Sequence, residues 1–408
     1  MAAEGRSTET AMTAMELPLA GVRVVEMTHM VMGPTCGMIL AQLGAEVIKV
    51  EPPAGDKTRS LGGMGTSFFP LFNRGKRSMA LDFANADDRE TMHRLLASAD
   101  VFLENFRDGQ LDKQGLGAAE LRRKYPHLIV AGHKGFLSGP YEHRPALDEV
   151  VQMMSGLAAM TGTRDKPQRV GSSANDIMGG MFGVIAILAA LYQKRGGAGG
   201  ADIRIGLFEN CLFLVAQHMV EYEMTGNRPR SMPEREHAWP IYDIFETAGS
   251  ERIFIGVVTE GHWQSFCREF GLKEFADDPT LRNTTDRIMA RGRIIPRVAE
   301  EIKRWNAAEL SATLDRLNIC FSPINRPEDL LSDPHVLRPG GLVHNINADG
   351  APFRVPALPV EWNGASIGEG LKVPALGADT EAIRAGLNGR ESLPKEVAAT
   401  ANATVRLA

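Results

Sequence analysis

Between Leu17 and Thr225 the apolar positions fall into two alternating rhythms. Short β-branched runs at Gly21–Met27 (GVRVVEM), Ala45–Glu51 (AEVIKVE), Ser78–Phe83, Val101–Glu104 and His127–Ala131 read as strands. Between them, Pro34–Leu43, Asp87–Ser98 and Ala118–Lys124 repeat their apolar residues every three or four positions, as helices with one buried face do. Pro34 stands in a first helical turn and Gly44 just past a helix end, where the missing N–H and the free φ of these residues are tolerated. Such alternation predicts an α/β fold with a parallel sheet covered by helices. A long apolar helix is expected over Ile177–Lys194, stopped by Gly196, Gly197, Gly199 and Gly200, then a strand at Ala201–Phe208 and a second apolar helix around Glu209–Met224. The apolar run Ile177–Tyr192 is shorter than the roughly 18–20 residues of a membrane span, which favours a buried helix.

The rhythm breaks at Thr225–Pro240 (TGNRPRSMPEREHAWP), where proline and charge dominate, and again along the Pro-rich stretch Ser322–Pro339. Between the breaks lie a strand at Ile253–Val258 and helices at His262–Phe270, Pro296–Trp305 and Ala308–Leu317; beyond them come strand-like pieces at Leu342–Ile346 and Phe353–Val355. The expected organisation is a loose tail over 1–16, the first part of a large domain over 17–225, a linker and small domain over 226–325, and a second linker with a return to the large domain over 326–408.

With 408 residues the chain has room for two cores. Its 44% hydrophobic and 23% charged residues are ordinary for a globular protein, and a net charge of −5 spread along the chain speaks against a nucleic-acid partner, which needs a basic face. Cys36, Cys211, Cys267 and Cys320 form no CxxC pair and have no histidine at metal-ligand spacing, so a reduced, cytoplasmic protein without a metal site is expected. No secretory or membrane segment is recognised.

The turn after the first strand, Thr28–Pro34, lacks the GxGxxG of dinucleotide sites, and no P-loop, HExxH, kinase or GxSxG pattern occurs. In an open α/β sheet a ligand still belongs at the carboxyl ends of the strands, and Thr28–Pro34 leads from such an end into a helix N-terminus suited to anions.

Seven blocks in order resemble the class III (CaiB/BaiF-type) CoA-transferases, the family of formyl-CoA transferase and the methylacyl-CoA racemases. They are Leu19–Pro34, Leu40–Arg59, Phe72–Asp82 (FNRGKRSMALD), Glu104–Leu116 (ENFRDGQLDKQGL), Ala131–Phe136 (AGHKGF), Met154–Gly162 and Asn175–Leu191 (NDIMGGMFGVIAILAAL). The resemblance implies a Rossmann-like large domain drawn from both chain ends, a small middle domain and an interlocked dimer: a homodimer, or a heterodimer with a related chain. It implies transfer of CoA from an acyl-CoA to a free carboxylic acid, with the CoA thioester as substrate and no permanently bound cofactor.

The same resemblance makes Asp176 the nucleophile; a carboxylate attacks a thioester to give a mixed anhydride, then an aspartyl-CoA thioester. The alternative for Asp176 is a plain helix N-cap. Gly179 and Gly180 are expected to clear space for the reacting carbonyl, near helix-start N–H groups that hold an oxyanion. CoA contacts are implied for Met30 and Val31 at the reactive end, Asn105 and Phe106 beside the nucleotide, and Lys134 at the phosphates. Lys76 is implied at the adenosine end, and Arg74 and Arg77 complete a basic cluster suited to phosphates. Core packing is the rival for Met30, Val31 and Phe106, and a solvated surface for the cations.

Racemases of the family carry a His-Asp pair in a GHD-x-x-Y block; Pro145-Ala146-Leu147-Asp148 matches it, with Leu147 in the histidine's place. A racemase needs two acid–base groups flanking the α-carbon, so a transferase is favoured over a 2-methylacyl-CoA racemase or a non-catalytic CoA-binding subunit. Val31 stands where formyl-CoA transferases often have glutamine, and no tetraglycine loop occurs between Thr225 and Phe254. A succinyl-CoA donor with a dicarboxylic or aryl-substituted acceptor is therefore expected, with Arg235, His237 and Trp239 as candidate acceptor contacts.

Overall fold

The computed structural model describes residues 17–235 and 237–389; the tail expected over 1–16 and the end of the last segment lie outside the described residues. The chain divides into two compact units, one running to Pro229 and resuming at Arg338, the other spanning Arg230–Leu337.

The first unit is built on a parallel sheet of β1 (Arg23–Met27), β2 (Glu46–Glu51), β3 (Arg77–Ala80), β4 (Val101–Glu104), β5 (Ile129–Lys134) and β6 (Asp202–Gly206), in the order β3-β2-β1-β4-β5-β6. Period-2 alternation sorts each strand's side chains between two cores. Val24, Val101, Leu103, Ile129 and Ala131 face one layer of helices: α1 (Met32–Gln42), α7 (Ala174–Arg195) and α8 (Leu207–Thr225). Val25, Ile48, Phe102 and Val130 face the other: α3 (Ala86–Ala97), α4 (Ala118–Lys124) and the returning α14 (Thr380–Gly389). A sheet buried on both faces explains why these strands read as nearly continuous apolar runs. Between the two layers' helices in sequence come α2 (Phe68–Asn73), α5 (Asp148–Met154) and α6 (Leu157–Thr161). The strand expected at His127–Ala131 lies two to three residues later, because Leu128 closes a turn on Tyr125 before pairing with β4 begins at Ile129.

The second unit folds an antiparallel sheet of β7 (Ile241–Glu246), β8 (Arg252–Val257) and β9 (Cys320–Pro323) against α9 (Glu260–Glu269), α10 (Lys273–Ala276), α11 (Thr284–Met289), α12 (Arg291–Ile302) and α13 (Ala307–Arg316). Trp263, Phe266, Ile294, Val298 and Leu310 fill its core. The expected start of a helix at Pro296 is a correction: α12 begins five residues earlier, and Pro296 lies inside it. In the first unit, β10 (Leu342–Ile346) and β11 (Pro352–Pro356) form a separate antiparallel pair.

Helix α7 is 22 residues long, and by length and apolarity it could cross a membrane. This corrects the expectation of a run too short to do so. Its inner face is nevertheless committed to packing on α1 and β5. A Cβ at Gly179 would stand 2.5 Å from Met32 Cε, one at Gly180 2.7 Å from Thr35 Cβ, and one at Gly183 2.5 Å from His133 Nε2. Gly179 and Gly180 let α7 approach α1 closely, and Gly183 lets it approach β5. The unit should therefore tolerate Gly183→Ala poorly: urea denaturation is expected to show a loss of about 2–3 kcal/mol, since neither ring nor sheet can yield cheaply.

Candidate active site

Three chain segments meet at the first turn of α7. Its N-cap position is Ser173, so Asp176 is the third helical residue and the N-cap alternative fails. Asn175 is fully buried; its Nδ2 donates to Leu207 O at 3.1 Å, while Asn210 Nδ2 donates to Asn175 O at 2.6 Å and Oδ1 at 2.7 Å. These bonds fasten the starts of α7 and α8 together and leave Asp176, the next residue, partly exposed at the turn. Gly179 and Gly180 lie deeper in the helix, beyond the first turn, Ala174–Asp176, whose N–H groups lack helical partners.

Asp148, the first residue of α5, is buried beside this turn. The backbone N–H of Asp176 is directed at its carboxylate, and Gln152 Nε2 donates to its Oδ2 at 2.8 Å. Burial, with the Asp148 charge second and Arg169 opposing, pushes the Asp176 carboxyl up from 3.8 to about 7. Burial also raises Asp148, against its bond to Gln152 and the Arg169 charge. Two neighbouring carboxylates in a poorly solvated turn resist ionising together, and the pair titrates as a unit. Asp148, Gln152 and Arg169 were not singled out from the sequence as site residues. Asp148 is 28 positions before Asp176, and the available signal was an acidic residue opening a helix within the block matched to the racemases' His-Asp pair.

The β1–α1 turn lies at the carboxyl ends of β1 and β4, where the strand order reverses direction. Met30 has φ 65°, a left-handed backbone that strains a residue bearing a side chain, and is well exposed. Val31 is buried with Met38 and Phe72, and Ile177 packs against that cluster. It thus joins the turn to α7 as core packing. Asn105 is spent on the turn: its Oδ1 accepts from His29 N at 3.0 Å and its Nδ2 donates to His29 O at 2.7 Å. That pairing makes Asn105 a brace of the β1–α1 turn. Phe106 lies half-buried with its ring 5.7 Å from that of His29.

The basic cluster does not form. Arg74 is buried, donating to Leu71 O and, at 2.9 Å, to Met38 Sδ; burial lowers it to about 10. Lys76 points into the core, where its Nζ meets Glu26 at 2.8 Å, Asn73 Oδ1 at 3.0 Å and Pro34 O at 3.0 Å. Arg77 opens β3 at the opposite end of the sheet from the β1–α1 turn and pairs with Glu46 at 2.6 Å and Asp379 at 3.3 Å. Arg74 and Lys76 are buried on protein partners, and Arg77 is paired with two half-exposed carboxylates, so the three cations do not gather in one place.

Lys49 completes the interior network, 2.9 Å from Asp56 and 3.6 Å from Glu26, donating to Thr28 O at 2.7 Å. Lys134 ends β5 with its ammonium 2.7 Å from Glu104, 3.3 Å from Asp108 and 2.9 Å from Phe106 O. It borders a cleft of about 290 Å³ at the ends of β4, β5 and β6, whose charged lining includes Arg107, Asp108, Glu142 and Arg204. Arg235 and Trp239 belong to the middle unit, where Arg235 donates to Met232 O and the Trp239 ring stacks 4.8 Å from Tyr242. His237 lies there too, its pKa lowered by burial. Among the described residues no group of three or more His, Cys, Asp or Glu side chains is placed to hold a metal ion.

Removing Lys76 should cost stability before it costs binding. Lys76→Met leaves Glu26 buried beside a more distant cation, and guanidinium denaturation is expected to show a loss of about 3–5 kcal/mol. Isothermal titration of the folded variant with CoA is expected to give a Kd within about threefold of the parent.

Residues 19–380 match the model of CoA-transferase family III. The chain is 31% identical to succinyl-CoA–D-citramalate CoA-transferase of Chloroflexus aurantiacus over 369 residues, 86% of this chain and 92% of that one. It is 30% identical to acetyl-CoA:oxalate CoA-transferase of Acetobacter aceti over 387 residues, 90% and 99% of the two chains. A CaiB/BaiF family protein from Brucella suis superposes with a TM-score of 0.81 at 32% identity, covering 91% of this chain and all of that one. A parallel sheet carrying an aspartate at the first turn of a glycine-packed helix, matched by sequence and structure along nearly its whole length, places this chain in family III of the CoA-transferases, enzymes that move CoA between carboxylic acids.

Proposed function

We propose that the protein moves CoA from succinyl-CoA to a dicarboxylic acid through covalent intermediates on Asp176. The observation that carries this reading is the placement of one partly exposed carboxylate in the first turn of α7, at the positive end of that helix, where it can be desolvated yet reached.

The chemistry then balances at each step. The Asp176 carboxylate attacks the thioester carbonyl, expelling CoA thiolate and forming an anhydride between Asp176 and the donor acid. The thiolate attacks the aspartyl carbonyl, releasing the donor carboxylate and leaving Asp176 as a CoA thioester. The acceptor carboxylate displaces CoA thiolate to form a second anhydride. Attack of that thiolate on the acceptor's carbonyl yields the new acyl-CoA and restores the Asp176 carboxylate. Each tetrahedral intermediate carries an oxyanion, and the positive end of α7 lies beside it. Activated carboxyl is exchanged for activated carboxyl throughout, so no nucleotide hydrolysis is required.

The substrate class follows the two curated relatives, one named for a succinyl-CoA donor and both for acceptors with two carboxyl groups. The proposed assembly is an interlocked homodimer of Rossmann-like large domains in the cytoplasm. Exposed Met181, Ile185, Leu188 and Tyr192 along one stripe of α7 support a partner chain there. Leu147, in place of a racemase histidine, carries no proton to exchange.

Intact-mass and peptide analysis after mixing with succinyl-CoA should find a CoA adduct on the peptide containing Asp176. Asp176→Asn should form none and lose at least about a thousandfold in transfer rate. α-Proton exchange in deuterated water without acyl transfer would support the racemase instead. The same variant should be more stable at pH 8. A carboxyl whose folded pKa is raised from 3.8 to about 7 favours the folded state while protonated. That advantage fades between those values, and above about 7 the full cost of the buried charge remains. Thermal denaturation at pH 8 should show Asp176→Asn gaining roughly 2 kcal/mol, and no gain at pH 4.

A further inference from the structure

The covalent route requires Asp176 to be anionic, yet Asp148 lies beside it with no catalytic task of its own. One cation reaches both. Arg169 lies in the segment between α6 and α7, and its guanidinium is held on several sides. Nε donates to Val170 O at 3.1 Å and Nη2 to Ser172 O at 3.2 Å. Nη1 pairs with Glu149, and Nη2 stands 4.0 Å from Asp148 Oδ2.

The segment is fixed in turn by Gln152. This fully buried amide accepts from Val170 N at 2.9 Å through Oε1, and with Nε2 grips the Asp148 carboxylate at 2.8 Å. One α5 side chain thus sets the spacing between a carboxylate and the strand of chain that leads into the first turn of α7. The other oxygen of Asp148, Oδ1, is buried without a side-chain partner or a hydrogen bond of normal geometry, so its charge is compensated from Arg169 and the Asp176 N–H.

We propose that Arg169 is a positioning residue of the transfer reaction: clamped between α5 and the segment entering α7, its guanidinium is the counter-charge that lets Asp148 and Asp176 be anionic together. The proposal rests on the reading of Asp176 as nucleophile. Among the described residues of α5, α8, β5 and α1, no other group supplies a positive charge to the turn. From α5 come only Asp148 and Glu149, both negative. From α8 come the Cys211 thiol, raised by burial, and Glu209, whose carboxylate accepts from Leu137 N. From β5 comes His133, buried and lowered to about 4, hence neutral; Lys134 is committed to Glu104 and Asp108. From α1 comes the Cys36 thiol, raised still further by burial. The Arg169 charge acts on both carboxylates and opposes the effect of their burial.

The test follows the rate of CoA-adduct formation on Asp176 from succinyl-CoA, by mass, between pH 5.5 and 9. The full-length parent is compared with Arg169→Gln, Arg169→Lys and Glu149→Gln. The expected result for Arg169→Gln is an acid limb displaced upward by about one pH unit, so that the rate falls about tenfold more at pH 6 than at pH 9. Arg169→Lys, which keeps the charge but not the fork of bonds, should recover most of that displacement. A limb left at the parent's position with a uniform loss at every pH would make Arg169 a mere strut and overturn the inference, while leaving the nucleophile intact.

Should Arg169→Gln not fold, the exposed Glu149 offers a second route. Removing its charge releases the guanidinium toward the pair, and Glu149→Gln should move the limb downward by a few tenths of a unit. No movement would count against the proposal. If the parent itself forms no adduct on Asp176 at any pH, it is the reading of the nucleophile that falls, and the two failures are told apart by that control.

Discussion

A carboxylate held half out of water beside a second carboxylate is an expensive arrangement, and the rest of the first unit is organised around sustaining it. Ionising both groups in a shared, poorly solvated turn costs free energy that only nearby charge and hydrogen bonds can return. The fold supplies these from three directions: the Asp176 N–H in the first turn of α7, the Gln152 amide on α5, and the Arg169 guanidinium on the intervening segment. The turn itself cannot drift, because Asn175 and Asn210 lock α7 to α8 while the glycine-lined face of α7 sits directly on α1 and β5. Raised basicity and fixed position are thus two results of one packing solution, and both favour a carboxylate nucleophile.

The buried charges elsewhere in this unit do another task. Glu26, Lys49, Asp56 and Lys76 alternate in sign beneath the β1–α1 turn, and two of their bonds end on carbonyls that bracket it, Thr28 O in the turn and Pro34 O in the first turn of α1. A strained Met30 and a His29 held at both backbone atoms by Asn105 can persist only because this network and the amide clamp over-determine the turn. Such networks favour one arrangement over its alternatives more than they add stability.

Much of this organisation was legible in the sequence. The apolar runs gave all six strands of the parallel sheet nearly in place, since burial on both faces leaves an apolar signal that little else imitates. Asp176 was legible only through the resemblance of its block to the family, since an aspartate just before a Gly-rich helix reads by itself as an N-cap. What sequence could not show was direction. Arg74, Lys76 and Arg77 are adjacent or nearly so, yet one is in a helix cap, one under the sheet and one at its far edge. A cluster in sequence became three separate environments, because neighbours in extended chain point to opposite faces. Arg169 and Gln152 stayed invisible for the converse reason: their roles arise from chain segments that only the fold brings together.

The most direct test of this account is the titration of Asp176 itself. In protein labelled with 13C at aspartate carboxyls, one resonance disappears in Asp176→Asn and can be followed with pH in the parent. A midpoint near 7, with a second inflection contributed by Asp148, is the predicted result. A single midpoint near 3.8 would show a well-solvated carboxylate with no electrostatic partner, and would contradict the claim on which the site rests.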